Sequence, residues 1–183
     1  TDDTLKVFPR RKAGVRLLLI HASIREWSWP NIAPLGQEYV ASAAWMDGHD
    51  LRVLDLNAER GRPIEYDERF LRWMDRRVEW ALDYHEPDVV GVSGIISQYS
   101  AIRRVARLVR MARPQATIVL GGGIASCLPR FMAERLPVDV VVQEEGEVTV
   151  SEVLERIELK AGFAGVKGTV YKDADGRIVD NGL

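Results

Sequence analysis

A chain of 183 residues, 46% hydrophobic and 28% charged, suits one soluble globular domain that buries most of its unfolded apolar surface. Its 25 Lys and Arg against 27 Asp and Glu leave a formal charge of −2, which argues against a nucleic-acid or anionic-membrane partner. The single cysteine, Cys127, excludes an internal disulfide and a cysteine-cluster metal site and favours a reducing, cytoplasmic setting.

Short β-branched runs alternate with amphipathic stretches along the chain. Residues 1–14 lack the apolar core of a signal peptide, and no run nears membrane-spanning length. Val15 to Ile20 reads as a strand that is apolar nearly throughout, as expected when both faces of a sheet are covered. Leu35 to Met46 reads as a helix stopped at Asp47-Gly48. Leu51 to Leu56 is the second strand, and Asp67 to Tyr84 carries Phe70, Leu71, Met74, Val78, Ala81 and Leu82 at helical spacing. Val89 to Ser93 is the third strand and Ser100 to Ala112 a helix ending before Pro114. Thr117 to Leu120 forms the fourth strand, Pro129 opens a short helix to Arg135, Val138 to Val142 forms the fifth strand, and Thr149 to Leu159 the last helix. Residues 168–179, with Asp173-Ala174-Asp175-Gly176 at their centre, read as a β-hairpin. The fold expected is α/β: a doubly wound, five-stranded parallel sheet of flavodoxin-like order 2-1-3-4-5 with a C-terminal hairpin. The division expected is a Rossmann-like domain over residues 1–160 and a hairpin extension over 161–183.

Ligands of open parallel sheets bind beyond the carboxyl ends of the strands, so the loops there carry the functional reading. After the third strand, Ser93-Gly94-Ile95-Ile96-Ser97 offers a hydroxyl beside a glycine, although Ser97 could equally serve as a helix cap. After the fourth, Gly121-Gly122-Gly123 strips side chains from the sheet edge at a cost of roughly 0.5–1 kcal/mol per glycine. A tight turn needs one such glycine; three suggest a flat group lying against the backbone. Gly122→Val is therefore expected to block a ligand while sparing the fold. After the fifth strand, Glu144, Glu145 and Glu147 precede a helix, where Glu147 favours the helix dipole and the acidity argues against a phosphate cradle.

Other constellations are missing. The chain has no GxxxxGK[ST], no GxGxxG at the first helix and no nucleophile elbow. A phospho-acceptor receiver would place acids after the first and third strands and Lys after the fifth; those positions hold His21-Ala22, Ser93 and Gln143. His49 and His85 fall at helix ends, and His21 ends the first strand, where it reads as a loop histidine.

Taken in order, these stretches resemble the N-terminal cobalamin-binding domain of radical S-adenosylmethionine enzymes over essentially the full chain. Those that carry the resemblance are Ala33-Pro34-Leu35-Gly36, residues 47–55, Pro87 through Ser93, Ile118 through Gly122, residues 139–149 and residues 175–179. The wider cobalamin-domain pattern is D-x-H-x-x-G, then S-x-L, then GG. Ser93-Gly94-Ile95 matches the second element with Ile for Leu, and 25 residues separate Ile95 from Gly121. The first element departs: anchored on Gly36, it places Asn31 at the Asp position and Ala33 at that of the cobalt-ligating His.

The resemblance implies cobalamin bound base-off, with no histidine lower ligand and no metal ligand from this chain. Ser93 would donate to the freed nitrogen of the tail base, Gly94 and Gly121 through Gly123 would leave room for the tail, and Ile95 and Ile96 would pack on it. Glu144 falls among the cofactor-binding positions. Trp27, Trp29, Asn31 and Arg60 would cover the lower corrin face from loops 28–34 and 57–66, although the tryptophans could equally be loop anchors. An iron–sulfur cluster and S-adenosylmethionine would belong to a radical domain in cis that is absent here, so this chain holds no complete active site. The parent would be a methyltransferase, of the kind used in natural-product biosynthesis. The alternative is a freestanding corrinoid carrier or cobalamin-responsive sensor.

Overall fold

The computed structural model describes residues 5–7, 14–23, 33–60 and 67–183. Its strands are β1 (Leu5–Val7), β2 (Arg16–His21), β3 (Asp50–Asp55), β4 (Val89–Ser93), β5 (Thr117–Gly121), β6 (Val140–Val142), β7 (Thr169–Lys172) and β8 (Ile178–Asp180). They form one eight-stranded sheet in the order β1-β3-β2-β4-β5-β6-β7-β8. From β3 to β6 every pairing is parallel. β1 joins one edge antiparallel to β3, and β7 and β8 extend the other edge, also antiparallel. The sheet is thus wider than the five strands expected. β1 escaped notice because three residues carry no periodicity, and the hairpin continues the main sheet through Val142↔Thr169 rather than standing apart from it.

The helices are α1 (Leu35–Met46), α2 (Leu56–Arg60), α3 (Glu68–His85), α4 (Tyr99–Ala112), α5 (Gly123–Cys127), α6 (Pro129–Arg135) and α7 (Gly146–Glu158). Alternation along each strand divides them between two faces. Leu18, Ile20, Val90, Val92, Ile118 and Leu120 point to a core that includes Met74, Val78 and Leu82 of α3 and Ile102 and Val105 of α4. Leu17, Leu19, Val89, Val119, Val140 and Val142 point to the opposite core, closed by Ala41 and Ala44 of α1 and Val153 and Leu154 of α7. Caps fix where helices stop. Asp67 accepts from the Phe70 N–H at the start of α3 (2.8 Å), and Gly48, at φ 98°, follows α1.

Several ends shift by one or two residues, the fifth strand starting at Val140 rather than Val138, and three boundaries differ in kind or by more. Leu56 opens α2 rather than closing the second strand, so part of the supposed loop 57–66 is helical. Gly123–Cys127 is a helical turn, not a continuation of the glycine loop. Helix α7 begins at Gly146, three residues before Thr149, which puts Glu147 in its first turn.

Candidate functional site

Strand order reverses at β2, which has β3 on one side and β4 on the other. Crevices at such reversals are where open α/β sheets hold ligands. Cross-strand register lines up Asp55, His21, Ser93 and Gly121 at the carboxyl ends of four adjacent strands. Behind this row lies a cavity of ≈ 230 Å³ between the sheet and the α1–α7 pair. Its floor descends from Ser93 past Gly91 to Val89, and Leu17, Leu19, Val119 and Leu154 line its depth. Gly91 contributes bare backbone to that floor. A Cβ there would stand 2.5 Å from Leu19 Cδ2, so the missing side chain is what lets Leu19, itself a lining residue, lie across this strand. A glycine inside a strand often marks such a close approach.

The loop after β4 is held on both sides. Ala22 N–H donates to the Ser93 carbonyl (3.1 Å), and Ile124 N–H to that of Gly94 (3.2 Å). Buried Gln98 accepts from Ile95 N–H at 2.6 Å, and its own amide donates to the Ala22 carbonyl. Ser97 stands exposed in a 3-10 turn, so Gln98 rather than Ser97 does the tying. Gly122 sits at φ 82°, and a Cβ on it would fall 2.7 Å from Ser93 Oγ and 2.8 Å from the Gly94 carbonyl. The turn after β5 is therefore pressed onto the turn after β4. On the third side, Glu144 adopts a left-handed φ of 52°, and its N–H donates to Ser126 Oγ of α5 (2.8 Å).

At the β2 end of the row, His21 Nδ1 lies 3.3 Å from Asp55 Oδ1. Burial alone would raise the Asp55 carboxyl, but His21 and the N–H groups of Asn57 and Ala58 outweigh it and hold the carboxyl below its ordinary range. Asn57 is buried and donates to the Ala22 carbonyl (3.0 Å). The histidine that reads as a loop residue is thus a fixed part of the cavity wall.

Of the residues singled out in the sequence, Ser93, Gly94, Ile95, Gly121, Gly122, Gly123 and Glu144 all line this one cavity. Ile96 does not; it projects outward at 57% exposure because the chain turns into the 3-10 helix there. Trp27, Trp29 and Asn31 lie outside the described residues, and Arg60 is described only as the last residue of α2. Sequence reasoning missed Gly91, whose signal was a glycine in an otherwise apolar strand. It also missed Gln37, a polar residue on the first turn of α1 that lines the cavity and is only 6% exposed. Leu35 and Ile95, which line the cavity, leave their apolar side chains exposed about its entrance.

Residues 30–154 match the family model of the B12 binding domain. The chain belongs to that family. It is 29% identical over 176 residues to cytidylyl-2-hydroxyethylphosphonate methyltransferase of Streptomyces wedmorensis, a match covering 92% of this chain and 33% of that enzyme. Its fold matches the radical S-adenosylmethionine methyltransferase TsrM of Kitasatospora setae, solved with cobalamin and a [4Fe-4S] cluster, at a TM-score of 0.75 and 21% identity. That match covers 92% of this chain and 31% of TsrM. The cobalamin-dependent S-adenosylmethionine radical enzyme OxsB, solved with aqua-cobalamin, matches at a TM-score of 0.74 and 17% identity over 93% of this chain and 22% of OxsB. The B12 domain spans 26% to 33% of the length of the curated relatives it matches. No helix of the described residues is long and apolar enough to cross a membrane.

Proposed function

We propose that this domain binds cobalamin with its tail base displaced from cobalt and inserted between α1, α7 and the sheet, and that no histidine replaces that base as lower ligand. The observation that carries the reading is the cavity over Gly91, apolar in its depth and polar at its mouth. An apolar cavity of about 150 Å³ holds benzene, so ≈ 230 Å³ has room for a fused two-ring base. Ser93, at the mouth, donates its hydroxyl to the ring nitrogen that cobalt has given up. Without that donor the buried nitrogen would cost about 1–3 kcal/mol. Gly121 through Gly123 leave the passage open, Ile95 and Leu35 offer apolar contact beside it, and Glu144 shapes the third side. Trp27, Trp29, Asn31 and Arg60 remain the proposed cover of the lower corrin face.

Similarity to the Streptomyces wedmorensis methyltransferase, together with the fold shared with TsrM and OxsB, supports a place for this domain in a longer radical S-adenosylmethionine methyltransferase, which we read as one of natural-product biosynthesis. Bound cobalamin would supply a cobalt-carried methyl group. The residues of this chain hold the tail, keep water from the base and orient the corrin. The iron–sulfur cluster and S-adenosylmethionine would be held elsewhere in the longer protein.

The test loads the chain with hydroxocobalamin, removes free corrinoid by gel filtration, and records the visible spectrum and the paramagnetic resonance of the reduced cob(II)alamin complex. The expected spectrum is base-off, with no triplet splitting from an axial nitrogen. A base-on spectrum, or no retained corrinoid, would overturn the binding mode. Triplets that vanish in His21→Ala would show that histidine ligates cobalt after all.

A further inference from the structure

Gln37 is the unexplained polar group of the cavity. Both amide atoms, Oε1 and Nε2, are buried, and neither has a hydrogen-bond partner among the described residues. The side chain is 6% exposed and lines the cavity. A buried amide with both ends unpaired works against folding, and an aliphatic residue would fill the same place without that cost. Such a group is explained if a ligand completes it.

Position identifies the part of the ligand. Helix α1 starts at the carboxyl edge of the sheet, so its first turn, with Gln37, stands at the level of Ser93 and Gly121 rather than in the apolar depth beside Leu17 and Val89. A tail base that reaches that depth leaves its sugar and phosphate at the level of Gln37. An amide suits that pair of groups: its N–H donates to a phosphate or ribose oxygen, while its carbonyl accepts from a ribose hydroxyl.

We infer that Gln37 recognises the ribose–phosphate segment of the cofactor's nucleotide tail and so selects a complete cobalamin over a corrinoid that lacks the nucleotide. This rests on the proposed placement of the tail. The test compares the unaltered chain with Gln37→Leu, using hydroxocobalamin and cobinamide, which keeps the corrin but has no nucleotide. Without ligand, Gln37→Leu should melt at a higher temperature, because an unpartnered amide has been replaced by hydrocarbon of similar size. It should bind hydroxocobalamin about ten-fold more weakly, as expected for lost neutral hydrogen bonds, and bind cobinamide as the unaltered chain does. Unchanged hydroxocobalamin affinity would overturn the inference and leave the tail placement standing. Equal losses for both ligands would place Gln37 on the corrin instead, and a lower melting temperature without ligand would make it a structural residue. Failure of the unaltered chain to bind hydroxocobalamin base-off would overturn the tail placement first, and this inference with it.

Discussion

At the end of β5, a Cβ on Gly121 would meet nothing within 4 Å, whereas one on Gly122 would meet the Gly94 backbone at 2.8 and 3.0 Å from a φ of 82°. The two neighbours therefore test different things. Gly122→Val, expected from the sequence to spare the fold, instead forces a branched residue into left-handed backbone and against a neighbouring turn, at a cost of order 1–3 kcal/mol. Gly121→Val stands at the end of a strand, where valine is at home, and projects into the cavity. We expect Gly121→Val to keep its melting temperature and lose cobalamin affinity by roughly a hundred-fold, a change of about 2.7 kcal/mol. Gly122→Val should lower the melting temperature as well. Calorimetric titration beside a thermal melt separates the two, and full affinity in Gly121→Val would mean that the tail does not pass this point. The glycine run pointed to this region; which glycine is structural was not legible, because it depends on a contact between loops 28 residues apart (94 to 122).

Elements at the opposite edge of the sheet hold it without lining the cavity. Asp139, just before β6, accepts from Arg110 of α4 (2.6 Å) and from the Ile118 N–H of β5 (2.7 Å). Arg110 also donates to the carbonyls of Pro114 and Ala116. This clamp ties one helix to two strands at the amino edge of the sheet. Asp139→Ala strands a backbone N–H and should cost about 1–3 kcal/mol of stability, read as a lower urea midpoint, with cobalamin affinity unchanged. A loss of affinity matching the loss of stability would show that the two edges of the sheet are coupled. The central strands were legible because Leu, Val and Ile continue on both faces of a covered parallel sheet. Helices α2 and α5 were not: each is five residues long, too short for a 3.6-residue period to emerge. Leu56 prolonged an apolar run, and Gly123 completed a glycine run, so both read as parts of their neighbours. Gln37 was hidden differently. On the first turn of a helix an amide reads as solvated, and its burial beside the cavity is a tertiary property that no local pattern announces.

For the whole molecule, buried His49 and His85 and half-buried Asp55 shape the response to acid among the described residues. Burial holds His49 and His85 below the usual imidazole value of about 6.5, and the His85 Nε2–H donates to the Leu17 carbonyl (3.2 Å). As pH falls through about 6.5, the unfolded chain takes up protons that the folded chain still refuses, so stability declines. Asp55 acts lower on the scale. Its depressed carboxyl contributes stability that is complete above the ordinary value of about 3.9 and is lost as pH falls through the folded value. Urea midpoints at pH 7.5, 5.5 and 3 should fall in two stages, and Asp55→Asn should remove only the lower one. A midpoint unchanged between pH 7.5 and 5.5 would contradict the neutral state of the two histidines. The space between α1, α7 and the sheet, ≈ 230 Å³ of it, counts toward the volume that the folded chain occupies and disappears when the chain unfolds. Compression therefore favours unfolding of the empty domain and loses that leverage once a ligand fills the gap. The cleft proposed to admit the cofactor thus also governs how far hydrostatic pressure can act on the protein.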